Sequence, residues 1–497
     1  MFKTISASIP TDPDYPDRTR RLTVLSRLLD GTFYDELPYS FQDEKNGAGE
    51  YVPLRQRRPA VQYGLAAIVV KDAVGMLFSD GHFPQIRCED AGTREAVAVI
   101  LREASLPEKM IEAATRGSVG SVAIRMRILK QRVFFDIFDT RYLTPTWKSD
   151  EPDQLAGISE RYKVGREILE AMGYQLPQSE SVFWFGRDWD DGQEIWYQPW
   201  TMADAGKKNF APVVDDSRTV RHDLGFVPWV WIKNLPGGDD IDGACTFAGA
   251  ISESIEIDYQ LSQLGRGLRY SSDPTLLIKE PSFGEGALVK GASNAIVVEE
   301  GGDAKMLEIN GTAATAVLEY VRALRELGLE AVGGNRSNAD KIAAVQSGRA
   351  MELMHHALVL LSDKLRISYG QGGLLALLEL VQRAVATGRA LVDRKGRPLR
   401  IDPLADLRLG WPQWFPPTSH DLLELSQAYQ GLRQSLLLSQ ETGVHLVATD
   451  YDLPDAAAEL RRIEAEPPPP AAAGPKPDDA SGGGNSSTTT DQTDDAL

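Results

Sequence analysis

Between Phe247 and Val332 the hydrophobic pattern of this 497-residue chain changes period twice. Phe247 to Tyr270 carries Ile257, Leu261, Leu264 and Leu268 on one helical seam. Residues 273–310 switch to short strand-like runs cut by glycines: PTLLIKE, ALVKG, AIVVEE and AKMLEI. A helical pattern resumes at Thr312, after Gly311, with Val317, Val321 and Leu324, and stops at Gly333-Gly334. Few folds place a small β insert between two helices of this length, so this order constrains the chain more than any single motif. Gly265 and Gly267 lie inside the first helix, each costing about 1 kcal/mol relative to Ala, which hints at close packing or a kink near its end.

The rest of the chain reads outward from this block. After Gly333-Gly334 comes a polar loop with Asn335, Arg336, Ser337, Asn338, Asp340 and Lys341. A long helix follows to Tyr369, with Met351, Met354, Leu358, Leu361 and Leu365 on a narrow seam. Gly370 and the glycines after it are expected to end that helix. GLLALLELVQRAV reads as a further buried helix, and RKGRPLRIDPLADLRLGWPQW as a turn and strands. Thr418 to Asp421 looks like a helix start, a hydroxyl followed three residues on by an acid. The chain then stays helical to about Glu466, with breaks expected at Gly443 and Pro454.

Residues 1–240 mix helix and strand. Leu22, Leu25, Leu28 and Leu29 mark a helix stopped by Gly31. Ala60 to Leu77 reads as a second helix through Val61, Leu65, Ile68, Val69 and Val74. RMRILKQRVFFDIFD alternates as paired strands do. SVFWFGRDWDDGQEIWYQPW reads as a hairpin about Asp191-Gly192, a dipeptide that tolerates positive φ.

Composition narrows the function. A hydrophobic content of 42% and a charged content of 25% suit a soluble globular chain with a real core. No run of about 18 apolar residues is present, so no membrane-spanning helix is expected. The first residues, MFKTISASIPTDPDYPDRTRR, lack the apolar stretch of a signal peptide, and the chain is expected to stay where it is made. Cys88 and Cys245 are too few for a disulfide framework or a four-thiolate zinc site. The net charge of −18 disfavours tight static binding to DNA, which rewards neutralised phosphates, but not sliding contact. From Pro467 the run is Pro, Gly, Ser, Thr and Asp, has almost nothing to bury, and should be disordered.

The candidate chemistry is thin. A P-loop needs Gly-Lys-Ser/Thr after a strand; the loop at Gly333 follows a helix and lacks that triplet. His355 and His356 are adjacent, about 100° apart around a helix axis, and cannot chelate one metal together. GGDDIDGACTFAG resembles a calcium loop, but with Gly243 sixth the first and twelfth ligands fall on Gly238 and Gly249, and the pattern fails. It reads as a solvated acidic loop before a helix. HExxH and GxSxG are absent, and the many acid pairs say little in so acidic a chain. No catalytic residue, metal ligand or cofactor is expected.

The order of parts, with the phrases SGRAMELMHHALVLLSDKLRISYG, LRLGWPQWFPPTSHDLLELSQA and LLLSQETG, resembles the portal proteins of tailed bacteriophages over about residues 20–465. The resemblance implies an α+β portal fold. Residues 1–240 and 372–416 would form a mixed α/β wing, 241–272 and 311–332 a helical stem, and 273–310 a small β clip. Residues 333–371 would carry the tunnel loop and a long helix, 417–465 the helical crown, and 466–497 an acidic tail outside the pattern. Gly333, Gly334, Asn335, Arg336, Ser337, Asn338 and Lys341 would be the tunnel-loop residues facing DNA.

The resemblance further implies a homo-oligomeric ring, usually a dodecamer, at one capsid vertex of a virion assembled in the host cytoplasm. Double-stranded DNA would pass through it. The terminase large subunit, head-completion or adaptor proteins, and the major capsid and scaffold proteins would be its partners, with no membrane. The loop fits such a passage: Arg336 and Lys341, offset by Asp340, give weak, sequence-blind contact. Two other readings stay open. One is another oligomeric head or adaptor protein of a virion. The other is a soluble hydrolase, which a deep pocket of perturbed carboxylates would favour.

Overall fold

The computed structural model describes residues 1–79, 81–178, 180–272, 275–281, 298–307, 312–334, 353, 355–415, 419–450 and 456–465. The chain divides into two units, Met1–Thr418 and Ser419–Leu497.

The first unit opens with helices α1 (Phe2–Ser8) and α2 (Asp17–Leu29). Leu22, Leu25 and Leu28 of α2 are buried, as their spacing requires. Gly31, at φ +75°, turns the chain so that Thr32 N–H donates to Arg27 O, 2.9 Å. Helix α3 spans Leu65–Phe78, starting five residues later than the expected Ala60. Gly64 at φ +68° is the reason, together with two bonds that hold the preceding chain extended. Val61 N–H donates to Ser262 Oγ (3.0 Å) and Tyr63 N–H to Asp258 Oδ1 (2.6 Å).

Strand β1 (Gln85–Arg87) precedes helices α4 (Ala91–Glu103) and α5 (Leu106–Gly117). Asp90 caps α4, its carboxylate accepting from Thr93 N–H at 2.6 Å. Strands β2 (Ser121–Leu129) and β3 (Arg132–Asp139) form the expected pair. Their two-residue turn, Lys130-Gln131, has positive φ at both positions (49° and 60°) without glycine or asparagine. Next come β4 (Leu143–Trp147), β5 (Leu155–Gly165), α6 (Arg166–Ala171), β6 (Val182–Trp189), β7 (Gln193–Trp196), α7 (Met202–Ala205), β8 (Val220–Arg221) and β9 (Trp229–Lys233). A three-stranded antiparallel sheet has the order β3-β2-β9, and a five-stranded one runs β4-β5-β6-β7-β8. The β6–β7 hairpin forms, but not by positive φ at Asp191-Gly192. Asp190 Oδ1 accepts from Gly192 N–H (2.8 Å) and Gln193 N–H (2.7 Å) instead.

Short strands β10 (Leu235–Gly238) and β11 (Gly243–Ala244) lead into α8 (Ile251–Ser272). Strands β12 (Thr275–Pro281) and β13 (Val298–Leu307) pair antiparallel, and α9 (Thr312–Val332) follows. AIVVEE and AKMLEI were expected as separate runs; from Val298 to Leu307 they are one strand through Gly301-Gly302. ALVKG lies outside the described residues.

Helix α10 (His356–Leu365) does not end at Gly370, which corrects the sequence reading. It continues through a π-helical segment, Arg366–Leu375, into α11 (Ala376–Ala386). Gly370 and Gly373 serve packing rather than termination, since Cβ atoms there would stand 2.5 Å from Trp411 Cζ2 and 2.8 Å from Ile232 Cδ1. The true stop is Gly388, at φ +87°, where Arg389 N–H returns to Ala384 O. The basic stretch after it forms a turn at Asp393–Gly396 and a single strand, β14 (Arg408–Gly410), on β1. The largest apolar core joins α2, α3, α5, α8, α10, α11 and the inner faces of β2, β3 and β9.

The second unit contains α12 (Ser419–Gln434), α13 (Gln440–Asp450) and α14 (Ala456–Ala465). Gly443, an expected break, lies inside α13. The break comes earlier, where Leu436 takes φ +59° and Leu437 N–H donates to Leu432 O. Ser439 then caps α13, its Oγ accepting from Thr442 N–H at 3.1 Å. Pro454 and residues 466–497 are outside the described residues.

Candidate functional site

Helices α8 and α9 lie side by side, and each changes surroundings along its length. In α8, Ile255, Ile257 and Tyr259 are buried, Leu261 and Leu264 half-buried, and Leu268 is 51% exposed. Helix α9 runs the opposite course. Its seam of Val317, Val321 and Leu324 is half-buried, and only near its end do Gly328 and Leu329 enter the core. A Cβ at Gly328 would stand 2.9 Å from Leu65 Cδ2. One end of each helix is therefore rooted in the first unit, and the β12–β13 pair lies between their other ends in sequence. Away from the seam, Leu318, Tyr320 and Leu327 of α9 are 43%, 47% and 57% exposed. Among the described residues, a Cβ at Gly265 or at Gly267 would meet no atom beyond its own helix backbone within 4 Å, so no close packing there explains these glycines.

The root of α8 holds a buried acid that was not among the expected site residues. Asp258, 3% exposed, accepts from Tyr34 O–H at 2.8 Å and from Tyr63 N–H at 2.6 Å. Burial pushes its carboxyl up to about 6, against the pull of those donors. The signal was partial: Asp258 falls between Ile255 and Leu261 at helical spacing, but Ser254 and Ser262 share that face.

Of the expected loop residues, Gly333 and Gly334 are described; Asn335, Arg336, Ser337, Asn338 and Lys341 lie outside the described residues. The two glycines close α9. Gly333 has φ +68°, its N–H donates to Glu330 O (3.3 Å), and Gly334 N–H donates to Leu329 O (2.7 Å). This double return is a Schellman cap, which favours glycine at the left-handed position. The cap itself sits against α10, for a Cβ at Gly333 would meet Ala357 O at 3.2 Å.

The histidines do not form a metal site. His355 precedes α10 and sits against Phe415, ring centroids 5.4 Å apart, while His356 is exposed. Burial lowers the basicity of His355, with Asp72 opposing. Among the described residues no group of three His, Cys, Asp or Glu is placed to hold a metal ion.

The acidic loop after Gly237 is not simply solvated, which corrects the sequence reading. Asp242 is buried and takes a two-pronged bond from Arg18 (2.8 Å to each oxygen), another from Arg21 (2.7 Å), and one from Ser121 Oγ (2.6 Å). Asp239 pairs with Arg21 at 2.8 Å; its carboxyl falls to about 2, chiefly through the backbone N–H of Asp242. The loop is a tie between α2 and β2.

A cavity of about 410 Å³ lies between α5 and β3, lined by Glu103, Glu108, Glu112, Lys109, Phe134 and Asp136 among others. Lys109, Glu112 and Glu103 among its polar groups are engaged structurally. Lys109 donates to Phe135 O at 2.7 Å, Glu112 pairs with Arg116 at 2.6 Å, and Glu103 accepts from Arg394 N–H. Asp136 is buried enough to be raised, yet Arg127 and Arg125 hold it below the usual carboxylate range. The raised carboxyls, Asp258, Glu160 and Glu379, sit on α8, β5 and α11 and none lines this cavity. No helix among the described residues is long and apolar enough to cross a membrane.

No protein-family model matches the chain, and no curated protein does. Among solved structures it is similar to a chain of the virion of the native gene transfer agent (GTA) particle, with 13% identity and a TM-score of 0.40, over 90% of this chain and 98% of that one. It is also similar to a chain of the neck of the native GTA particle computed with C12 symmetry, with 12% identity and a TM-score of 0.39, over 88% and 96%. A chain from the neck of the empty particle, computed with C6 symmetry, aligns at 12% identity and a TM-score of 0.35, over 82% and 90%.

Proposed function

We propose that this chain is a structural component of a phage-like virion and, more specifically, a portal protein: one subunit of a ring through which double-stranded DNA is packaged and ejected. The observation that carries this reading is the α8–β12/β13–α9 block. Two long helices are rooted in one core at one end and joined in sequence through paired strands, and α9 is left with large apolar side chains uncovered away from the seam. Uncovered apolar side chains on both flanks of a helix suit contact with a neighbour on each side, and further copies of the same block supply such neighbours in a ring. In this reading α8 and α9 are the stem, β12 and β13 belong to the clip, the segment after Gly334 is the tunnel loop, and the second unit is the crown. The terminase motor, head-completion proteins, and capsid and scaffold proteins are the partners, and the chain has no chemistry of its own.

The test is to make uncovered positions on both flanks of the seam polar without touching the seam or the roots. Leu318→Gln and Leu327→Gln together, both off the α9 seam, should leave the subunit folded but reduce its assembly at least tenfold in sedimentation velocity. Unchanged assembly would remove the stem assignment.

A further inference from the structure

The helical run from His356 to Ala386 passes through ten π-helical residues, Arg366–Leu375. The π-helix is rare and mostly confined to single turns inside α-helices. A segment of this length needs a cause. Two of its glycines have one: Gly370 admits Trp411 and Gly373 admits Ile232. Gly372 has none. It is exposed, it lacks a positive φ, and a Cβ there would meet only Ile367 O of its own helix, at 3.8 Å. Glycine at an exposed helical position gives up helix propensity, and here no packing recovers it. What Gly372 adds is backbone freedom.

The same segment is latched at its start. Tyr369 O–H donates to Asn234 Oδ1 at 2.9 Å, and Ser368 O–H donates to Asn234 O. Asn234 is itself fixed, its Nδ2 donating to Ala244 O (2.7 Å) and Thr246 Oγ1 (2.8 Å). Arg366 stacks on Trp414, its Cζ 3.2 Å from the ring centroid, and on Trp411 at 4.6 Å. Upstream, α10 abuts the end of α9, with Ala357 O facing Gly333.

We propose that Arg366–Leu375 is a two-register element. In the register seen here, the π turns hold Ser368 and Tyr369 on Asn234. Conversion to α turns lengthens the segment and rotates what precedes it, because an α-helix advances about 1.5 Å and turns about 100° per residue while wider i→i+5 turns do less of both. The latch then opens, and α10 moves against the capped end of α9. Helix α11, beyond Gly373, stays in the core.

Hydrogen exchange by mass spectrometry on the full chain tests this. Residues 356–375 should exchange as one unit, at least tenfold faster than 376–386. Tyr369→Phe, which removes one latch bond, should raise exchange across 356–375 together at least fivefold and leave 376–386 unchanged. Exchange of 366–375 unrelated to that of 356–365 in wild type overturns the proposal, even if a variant fails to fold. So does a Tyr369→Phe effect that stays within 366–375 or spreads equally into 376–386.

Discussion

Among single residues, Asp258 and Gly117 decide how firmly α8 and the π segment are held. The Asp258 carboxyl has an ordinary value of 3.8 and is pushed up to about 6, so the folded chain holds this proton more tightly than the unfolded one. Its stabilisation is fully present below about 3.8 and is lost as pH rises through about 6. About two units correspond to roughly 3 kcal/mol. Denaturant unfolding from pH 4 to 7 should therefore show wild type losing stability relative to Asp258→Asn, whose amide offers an acceptor to Tyr63 and a donor to Tyr34. Parallel pH profiles would contradict the assignment. Gly117 acts through sterics. A Cβ there would collide with Tyr369 Oη and stand 3.0 Å from Val122 Cγ1. Overpacking at such a site costs about 1–3 kcal/mol, so Gly117→Ala should lower the stability measured by denaturant unfolding by that much; no change would mean that Tyr369 can move freely.

Among helices and strands, the sequence was legible where burial has a period. Leu22, Leu25 and Leu28 predicted α2, and Ile257, Leu261 and Leu264 predicted α8, because one apolar stripe faces one core. Glycines were less legible. Gly31, Gly333 and Gly388 end helices through positive φ, whereas Gly370, Gly373 and Gly443 lie inside them. The difference depends on Trp411 and Ile232, which reach Gly370 and Gly373 from distant parts of the chain, and no local pattern encodes that. The Arg18–Asp242 tie, 224 residues apart, was hidden for the same reason. Of the candidate loop, the Gly333-Gly334 opening was legible and proves to be a helix cap; Arg336 and Lys341 lie outside the described residues. Their role is open to a direct test. Arg336→Ala with Lys341→Ala should leave assembly unchanged but reduce the DNA packaged or retained per particle, measured against capsid protein. Loss of assembly instead would make the loop structural.

For the molecule as a whole, the net charge of −18 and the uncovered apolar residues of α8 and α9 belong to one physical picture. In the proposed ring, apolar contact between copies would supply cohesion, and the acidic balance of the chain would keep DNA from sticking as it moves, since retained phosphate contacts would act as a brake. Everything in this picture depends on copies of the chain closing into a ring around a passage. Electron cryo-microscopy of the purified full chain, with its mass in solution, decides that point. A ring assembly predicts closed particles with a central opening wide enough for a DNA duplex and a mass that is a whole multiple, greater than one, of 54.5 kDa. Particles that are monomeric, or oligomers without a central opening under conditions where the chain is folded, would contradict it.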